Sequence, residues 1–268
     1  MNQVIQREQI QHFAPAVYGR PWEGASDRYA YVPTYEVLDL MEKEGFLPTK
    51  VNQVGSSVHA KHMVRLRHRD HLNPKEDGLG QLAPEIVMIN SHDGKSSFQI
   101  MSGLFRLICL NGMVVNAGLN QDTKIRHFGS AEEVVEAVYG IVRETPAIMN
   151  EAQEMSVIEL TPNEQNIYAV AARELRWPKD EDKTTSPDFL LKARRTADRK
   201  DDLWSTFSRV QENMIKGGMP VVQVPTELGV RPSKPRKAKK IKSIQEDLRI
   251  NKSLWILTQR MKELKLAA

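Results

Sequence analysis

The residues of this sequence that could do chemistry are concentrated between positions 85 and 115, where two motifs suggest catalysis or phosphate binding. Ser91-His92-Asp93 places the three residue types of a hydrolase triad in a row. A triad needs side chains that converge from separate segments, whereas neighbours on an extended chain point to alternating faces. Gly94-Lys95-Ser96 resembles the end of a phosphate loop, but that loop needs a glycine where this chain has Ile89. The two motifs therefore predict a tight β-hairpin turn at Asp93-Gly94.

Histidine and cysteine offer two further candidates. His59, His62, His68 and His71 form two H-x-x-H pairs, which suggests a metal site. Residues i and i+3 of a strand face opposite ways, and no second cluster supplies the remaining ligands. Cys109 lies in an apolar run without a neighbouring base, which favours a buried side chain over a nucleophile. We therefore expect no catalytic residue, no metal and no cofactor, and a protein that is not an enzyme.

Positive charge in the first half of the chain follows an alternating segment at residues 60–69, AKHMVRLRHR. This period of two predicts a β-strand with His62, Val64, Leu66 and His68 toward the core. We expect the cations of the other face to be exposed, either as a solvated surface or as a groove that follows the phosphates of a nucleic acid. These cations are Lys61, Arg65, Arg67 and Arg69.

A second basic segment lies at residues 231–242 and contains seven cations and no acid: Arg231, Lys234, Arg236, Lys237, Lys239, Lys240 and Lys242. Without these seven charges, the net charge of +4 becomes −3. So uneven a distribution favours a local contact with a polyanion, and the alternative is a solvated linker. Because Pro232 and Pro235 oppose a helix and like charges repel, we expect an extended, mobile arm.

The elements that must position these residues predict an α+β fold. Residues 51–117 carry the alternation and turns of an antiparallel β-meander of about four strands, and residues 130–217 carry helical stripes. We expect one α+β core domain over residues 1–218, a flexible basic arm over residues 219–242, and an amphipathic C-terminal helix over residues 243–268.

The helices after the meander have recognisable start signals. Ser130 and Glu133 form a capping box ahead of an apolar stripe that precedes Pro146. Thr161-Pro162-Asn163-Glu164 repeats the box, and Asp202 caps a helix that Gly217-Gly218 ends. These signals predict a helical region packed through apolar stripes.

Cysteine content and hydropathy indicate a compartment. One cysteine cannot form an internal disulfide, and no apolar run approaches the roughly 20 residues of a membrane span. The first residues, MNQVIQREQIQHF, lack the apolar core of a signal peptide. We expect a cytoplasmic protein that does not enter a membrane.

Four segments of the chain resemble a known family: SDRYAYVPT, NSHDGKSSFQIMSGLFRLICLNGMVV, DLWSTFSRVQENMIKGG and DLRINKSLWIL. They are similar to an uncharacterised family of prophage- and plasmid-borne bacterial proteins that carry a phage/plasmid-related domain of unknown function. The resemblance spans nearly the whole chain and implies a mobile-element setting. It implies no activity and no catalytic residues.

A β-meander followed by helices is also similar, at the level of fold, to the core of Rad52-like single-strand annealing proteins. Together with the basic strand and the basic arm, this order favours a nucleic-acid-binding protein. We expect a homo-oligomer that binds single-stranded DNA through its backbone charge in recombination or replication. The alternative is a protein–protein interaction module, such as an antirestriction or anti-defence factor.

Overall fold

The structure is a computed structural model that describes residues 4–25, 29, 31–73, 79, 81–94, 96, 98–107, 111–114, 130–178, 183–223 and 234–267. The chain divides into two compact units, Met1–Met149 and Asn150–Ala268. One core domain over residues 1–218 was expected from the sequence, whereas the observed division lies between residues 149 and 150. The predicted α+β class is confirmed by an antiparallel sheet followed by helices.

The N-terminal unit contains a five-stranded antiparallel sheet in the order β1-β2-β3-β4-β5. Its strands are β1 Phe46–Gln53, β2 His62–His68, β3 Leu82–Asn90, β4 Gln99–Arg106 and β5 Asn111–Val114. This is the predicted meander with one strand more, because β1, which begins before the predicted region, pairs with β2 from Phe46 to Gln53 with an irregularity between Pro48 and Lys50.

Helices pack on one face of this sheet. They are α1 Arg7–Phe13, α2 Thr34–Lys43 and α3 Ala131–Met155, with short 3-10 turns at Pro15–Tyr18 and Arg69–His71. The Glu133 amide donates to Ser130 Oγ over 3.3 Å, as the capping box requires. Pro146 lies inside α3 and does not end it.

Side chains alternate between the two faces of the sheet, and one of these faces packs into the hydrophobic core. Val64 of β2 lies opposite Met88 of β3, and both side chains join a cluster that includes Met41 of α2 and Val138 of α3. Each odd-numbered neighbour along β2 and β3 therefore points to the other face of the sheet. That face is also buried, as the strongly buried Met63, Arg65, Val87 and Ile89 show.

The C-terminal unit is built on helices with a small sheet beside them. Its elements are α4 Pro162–Arg176, α5 Pro187–Leu191, a 3-10 turn at Thr196–Asp198, α6 Leu203–Lys216, α7 Ile244–Ala267, and the strands β6 Lys183–Thr184, β7 Pro220–Gln223 and β8 Arg236–Lys237. The capping box at Thr161 and the cap at Asp202 are both confirmed. None of the described helices is long and apolar enough to span a membrane.

Candidate nucleic-acid interface

The cations of β2 are not an exposed row, and here the expectation from the sequence was wrong. The alternation itself is correct, since His62, Val64 and Leu66 are buried on the helix-covered face. Arg65 and Arg67 lie on the opposite face, but each is only 1% exposed. An exposed phosphate backbone therefore has no access to either guanidinium.

One carboxylate explains how two arginines are tolerated inside the sheet. Arg65 Nη1 lies 3.1 Å from Glu85 Oε2, and Arg67 Nη2 lies 2.7 Å from Glu85 Oε1. Glu85 belongs to the neighbouring strand β3 and is 3% exposed. The Arg67 guanidinium also lies 3.9 Å from the centroid of the Phe105 ring, a cation–π contact. The three charges form a buried structural cluster rather than a binding surface.

Glu85 is the residue that the sequence analysis missed. It stands at the head of the apolar run EIVMIN, and a lone acid in such a run is expensive to bury without a partner. Its two partners lie on a strand that is adjacent in the sheet but 18 and 20 positions away in sequence. The sequence does show a single acid in one apolar strand and two arginines in another. That the acid pairs with these arginines can be deduced only once the register between the two strands is known.

The two remaining cations of this strand lie at its ends. Lys61 is half-buried and precedes β2, and Arg69 is exposed and opens the 3-10 turn that follows the strand. Eight residues of extended chain place their backbones about 26 Å apart. With Arg65 and Arg67 buried between them, Lys61 and Arg69 do not form a continuous stripe.

The basic segment of the C-terminal unit, residues 234–242, differs from β2 because its cations are exposed. Its backbone is extended and anchored, because β8 pairs with β7 through Val221 and Arg236. The Gly218 amide donates to the Ala238 carbonyl over 2.8 Å, and the Ile241 amide donates to the Ile215 carbonyl over 2.9 Å. The arm was expected to be extended and mobile. This part of it is extended but is held against the end of α6 by hydrogen bonds.

Two further residues reinforce that anchor. Arg176 of α4 donates to the carbonyls of Met214 and Lys239, so it joins the end of α6 to the segment. Gly217, which caps α6, has φ of +66°, and a Cβ there would lie 2.5 Å from the Ala238 carbonyl oxygen. Only glycine suits both the conformation and the close approach. The segment is thus positioned by contacts of its backbone.

The cationic side chains of the segment point into solvent. Five of them have no carboxylate partner within the described part of the chain: Lys234, Arg236, Lys237, Lys239 and Lys240. Lys242 is exposed as well, and Arg231 lies outside the described residues. Lys183 adds an exposed cation on β6, the opposite edge of the same three-stranded sheet.

Several other cations of the C-terminal unit are paired with carboxylates. Lys262 pairs with Glu154, Lys265 with Glu164, and Arg195 with both Asp198 and Glu212. An unpaired, extended row of positive charge on a fixed backbone can neutralise phosphates that follow the chain direction. The arrangement is therefore suited to a polyanion.

The Ser91-His92-Asp93 motif is not a catalytic triad. Ser91 Oγ donates to Asp93 Oδ1 over 2.7 Å, whereas the His92 ring packs against His62 and Tyr31, with centroids 5.1 Å away in both cases. Gly94 has the expected positive φ, +71°. The predicted tight turn is wrong, however, because β3 ends at Asn90 and β4 begins at Gln99, so a longer loop joins them.

The histidine pair inside the N-terminal unit is electrostatically distinctive. Burial lowers the pKa of His62 to about 4, although a hydrogen bond with the Ala60 carbonyl opposes that shift. Burial also lowers the pKa of His92 to about 4, and the neighbouring His62 adds to the effect. His62 Nε2 is held by the Thr34 hydroxyl at 2.8 Å. Both rings are therefore neutral near pH 7: His62 packs and forms hydrogen bonds, whereas His92 packs against the neighbouring rings.

Within the described residues, no group of three or more His, Cys, Asp or Glu side chains is placed to hold a metal ion. His59 Nδ1 instead lies 2.8 Å from the Arg20 carbonyl, and His68 Nδ1 lies 3.2 Å from Asp70 Oδ2. Cys109, the candidate nucleophile, lies outside the described residues. The histidines of the two H-x-x-H pairs thus have separate local roles.

Fold and charge together define an α+β protein with an anchored basic segment near its C-terminus. The family profile described as a domain of unknown function, DUF932, matches residues 21–255, and the chain therefore belongs to this uncharacterised family. Two Escherichia coli K12 proteins are similar over most of their length. UPF0380 protein YafZ is 33% identical over 264 residues, covering 95% of this chain and 90% of the relative. UPF0380 protein YfjQ is 32% identical with the same coverage. No solved structure matches significantly.

Proposed function

We propose that this protein binds nucleic acid through the basic segment of residues 234–242. The observation that carries the proposal is the row of five exposed cations without carboxylate partners in the described chain, on a hydrogen-bonded, extended backbone. Binding of a polyanion there releases condensed counterions, which is the main source of sequence-independent affinity. Arg65 and Arg67 are left out of the interface because they neutralise Glu85 inside the sheet.

The distribution of charge supports a local rather than a global contact. The seven cations of residues 231–242 outweigh the whole net charge of +4, so the rest of the chain is mildly acidic. A polyanion is therefore attracted to this segment and repelled by the rest of the chain, so the charge distribution steers it to the segment. Exposed lysines and arginines on a backbone contact phosphates without reading bases, so the binding is expected to be independent of sequence.

The proposed ligand is single-stranded DNA, and the proposed setting is recombination or replication of a mobile element such as a prophage or plasmid. The short extended segment supports a strand-following contact, whereas a duplex groove is usually entered by a helix or a longer ribbon. The family resemblance and the order of meander and helices support the setting by analogy. We also propose a cytoplasmic homo-oligomer that binds and does not catalyse.

Fluorescence anisotropy with labelled single- and double-stranded oligonucleotides of mixed sequence tests the proposal. We expect tighter binding to the single strand, no preference among sequences, and an affinity that falls steeply as salt increases. Absence of binding to any oligonucleotide at low salt would reject a nucleic-acid function for the segment.

A second candidate function is a protein–protein interaction module, such as an antirestriction or anti-defence factor. It is favoured by apolar side chains that remain exposed in the C-terminal unit: Val157 is 78%, Ile167 63%, Leu264 68% and Leu266 70% exposed. Exposed apolar side chains that lie together in a patch mark protein interfaces, and Leu264 and Leu266 lie two residues apart at the end of α7. Sedimentation of the full chain with and without Leu264→Lys and Leu266→Lys separates self-association through these residues from binding of another protein.

A further inference from the structure

A cleft of about 530 Å³ opens in the N-terminal unit between one end of the sheet and α3. Its sheet wall is apolar and contains Phe46, Leu82 and Ile86, and its helix wall contains Val142, Pro146 and Met149. The volume lies within the range of about 300–1,000 Å³ that is typical of small-molecule sites. The residues that line the cleft belong to the N-terminal unit, and the basic segment belongs to the C-terminal unit.

The helix wall carries a hydrogen-bond acceptor that its own helix cannot satisfy. Pro146 has no N–H, so the Val142 carbonyl lacks the donor that it would normally receive from position i+4. Val142 and Pro146 are one turn apart and both line the cleft, which places this carbonyl on the same helix face. A ligand with a donor group can therefore form a hydrogen bond that the fold leaves open.

A carboxylate lies at the edge of the same cleft. Glu44, which follows α2, accepts a hydrogen bond from the Tyr139 hydroxyl of α3, and both residues line the cleft. The pair joins the two sides of the opening and fixes the carboxylate there. Tyr139 and Val142 are 42% and 36% exposed, so the opening is accessible.

His71, which lines the cleft, adds no competing positive charge at neutral pH. Burial lowers the pKa of His71, and the nearby His68 lowers it further, so the His71 ring is neutral there. His68 Nδ1 is already engaged with Asp70. Glu85 and Thr145 also line the cleft, but the Glu85 carboxylate is paired with two arginines and the Thr145 hydroxyl donates within α3. The acceptors that remain for an incoming ligand are the Glu44 carboxylate and the Val142 carbonyl.

We propose that this cleft binds a small organic cation that has an apolar body and a protonated amine. The apolar walls remove the body from water, and burial of apolar surface supplies most of the affinity. The ammonium donates to the Glu44 carboxylate and to the Val142 carbonyl, two acceptors that a carboxylate-bearing ligand of the same shape cannot use.

Three probes of similar size test the proposal on the full chain: 2-phenylethylamine, 2-phenylethanol and phenylacetate. Chemical-shift titrations of the protein should give the tightest binding for the amine, then the alcohol, then the acid. We expect about a tenfold difference in dissociation constant between the amine and the acid. The shifts should map to Phe46, Leu82 and Val142.

Two variants and a control locate the recognition. Glu44→Gln should reduce the affinity for the amine to that for the alcohol, whereas Glu136→Gln, an exposed acid on α3 that does not line the cleft, should leave it unchanged. Pro146→Ala supplies an N–H to the Val142 carbonyl and should weaken both donor ligands in a protein that retains its fold. The proposal would be overturned if phenylacetate bound as tightly as the amine or more tightly. It would also be overturned if the shifts mapped elsewhere in the chain, or if millimolar amine gave no saturable shift.

Discussion

Strand β2 and the basic segment of residues 234–242 are both rich in cations, but the cations inside β2 are buried and those of the basic segment are exposed. Both are extended, and both carry several cations within ten residues. In β2, Arg65 and Arg67 are 1% exposed and share the carboxylate of Glu85. In the basic segment, five cations face solvent without a carboxylate partner in the described residues.

A run of cations therefore indicates a binding surface only when the neighbouring elements supply no acid. β2 lies inside a sheet, between two strands, and the strand beside it contributes Glu85. β8 lies at the edge of a three-stranded sheet and pairs on one side only, with β7. Position in the sheet, rather than the charge itself, therefore decides whether the cations stabilise the fold or remain available to a ligand.

The comparison predicts that removing one negative charge from the N-terminal unit will be very costly. Glu85→Gln leaves two buried guanidinium groups without a counterion, and the free energy of unfolding should fall by about 3–5 kcal/mol. Urea denaturation measures this loss, with Glu136→Gln as an exposed-acid control that should change stability by less than about 0.5 kcal/mol. A loss below about 1 kcal/mol for Glu85→Gln would mean that the cluster is not buried as described.

A triple variant sharpens the same point. If Arg65, Arg67 and Glu85 serve only the fold, replacing them together with Met, Met and Leu should recover most of the stability that Glu85→Gln removes, because no buried charge remains. Oligonucleotide affinity of the folded triple variant should equal that of the unchanged chain. A folded triple variant that bound oligonucleotides more weakly than the unchanged chain would show that these arginines contribute to binding.

Acidification should also affect the N-terminal unit, through its buried histidine pair. His62 and His92 have pKa values of about 4 in the fold, against an ordinary value of 6.5. The folded state therefore binds fewer protons than the unfolded state between these values, and stability is lost as the pH falls from about 6.5 toward 4. At pH 5 the loss is on the order of 2 kcal/mol for each ring.

Urea denaturation at pH 7, 6 and 5 checks this dependence. His92→Phe removes one of the two titrating rings and should lose about half of the effect, whereas His12→Gln, at an exposed position on α1, should keep the full profile. A flat stability profile between pH 7 and pH 5 in the unchanged chain would contradict the burial of the pair.

In the C-terminal unit, the anchor of the basic segment should be sensitive to a single methyl group. Gly217→Ala places a Cβ 2.5 Å from the Ala238 carbonyl oxygen at a φ of +66°, and should cost on the order of 1–3 kcal/mol. Gly218→Ala is the matched control, since its φ is +89° but a Cβ there meets nothing within 4 Å. Thermal melts should show the larger loss for Gly217→Ala, and equal losses would mean that the segment does not pack there.

Much of the fold was predictable because local signals agree with one another. The capping box at Thr161, the cap at Asp202 and the stop at Gly217 gave correct helix bounds, since each depends on contacts within a few residues. α3 continues past Pro146 to Met155, and the buried Ile148, Ala152 and Met155 extend its apolar stripe beyond the proline. The predicted tight turn at Asp93-Gly94 was wrong because these residues lie within a longer loop between β3 and β4. The length of that loop depends on where the two strands stop pairing.

The candidate site was only partly predictable, for a related reason. The alternation of β2 correctly separated two faces, but alternation does not say whether the second face is covered. Glu85 joins Arg65 and Arg67 through a strand register that the sequence alone does not specify. The charge density of residues 234–242 was visible directly, whereas its anchoring by Ala238 and Ile241 depends on long-range backbone hydrogen bonds.

The smallest expected effect on stability belongs to the basic segment itself. Replacing Lys234, Arg236, Lys237, Lys239 and Lys240 with Gln removes exposed charges whose side chains make no described ion pair, so the free energy of unfolding should change by less than about 0.5 kcal/mol. Thermal and urea denaturation measure this. A large destabilisation would mean that these side chains, and not only their backbone, hold the unit together.

The salt dependence of single-stranded DNA binding by this five-residue variant shows whether the basic segment is the nucleic-acid interface. A matched variant changes five exposed cations outside the segment to Gln, namely Lys43, Arg143, Arg199, Lys200 and Arg260. If the basic segment is the interface, only the variant within the segment should bind more weakly. Its plot of log affinity against log salt concentration should also flatten, by about one unit for each phosphate that the segment no longer neutralises. Equal slopes for the unchanged chain and both variants would show that the exposed cations of residues 234–242 do not bind the nucleic acid.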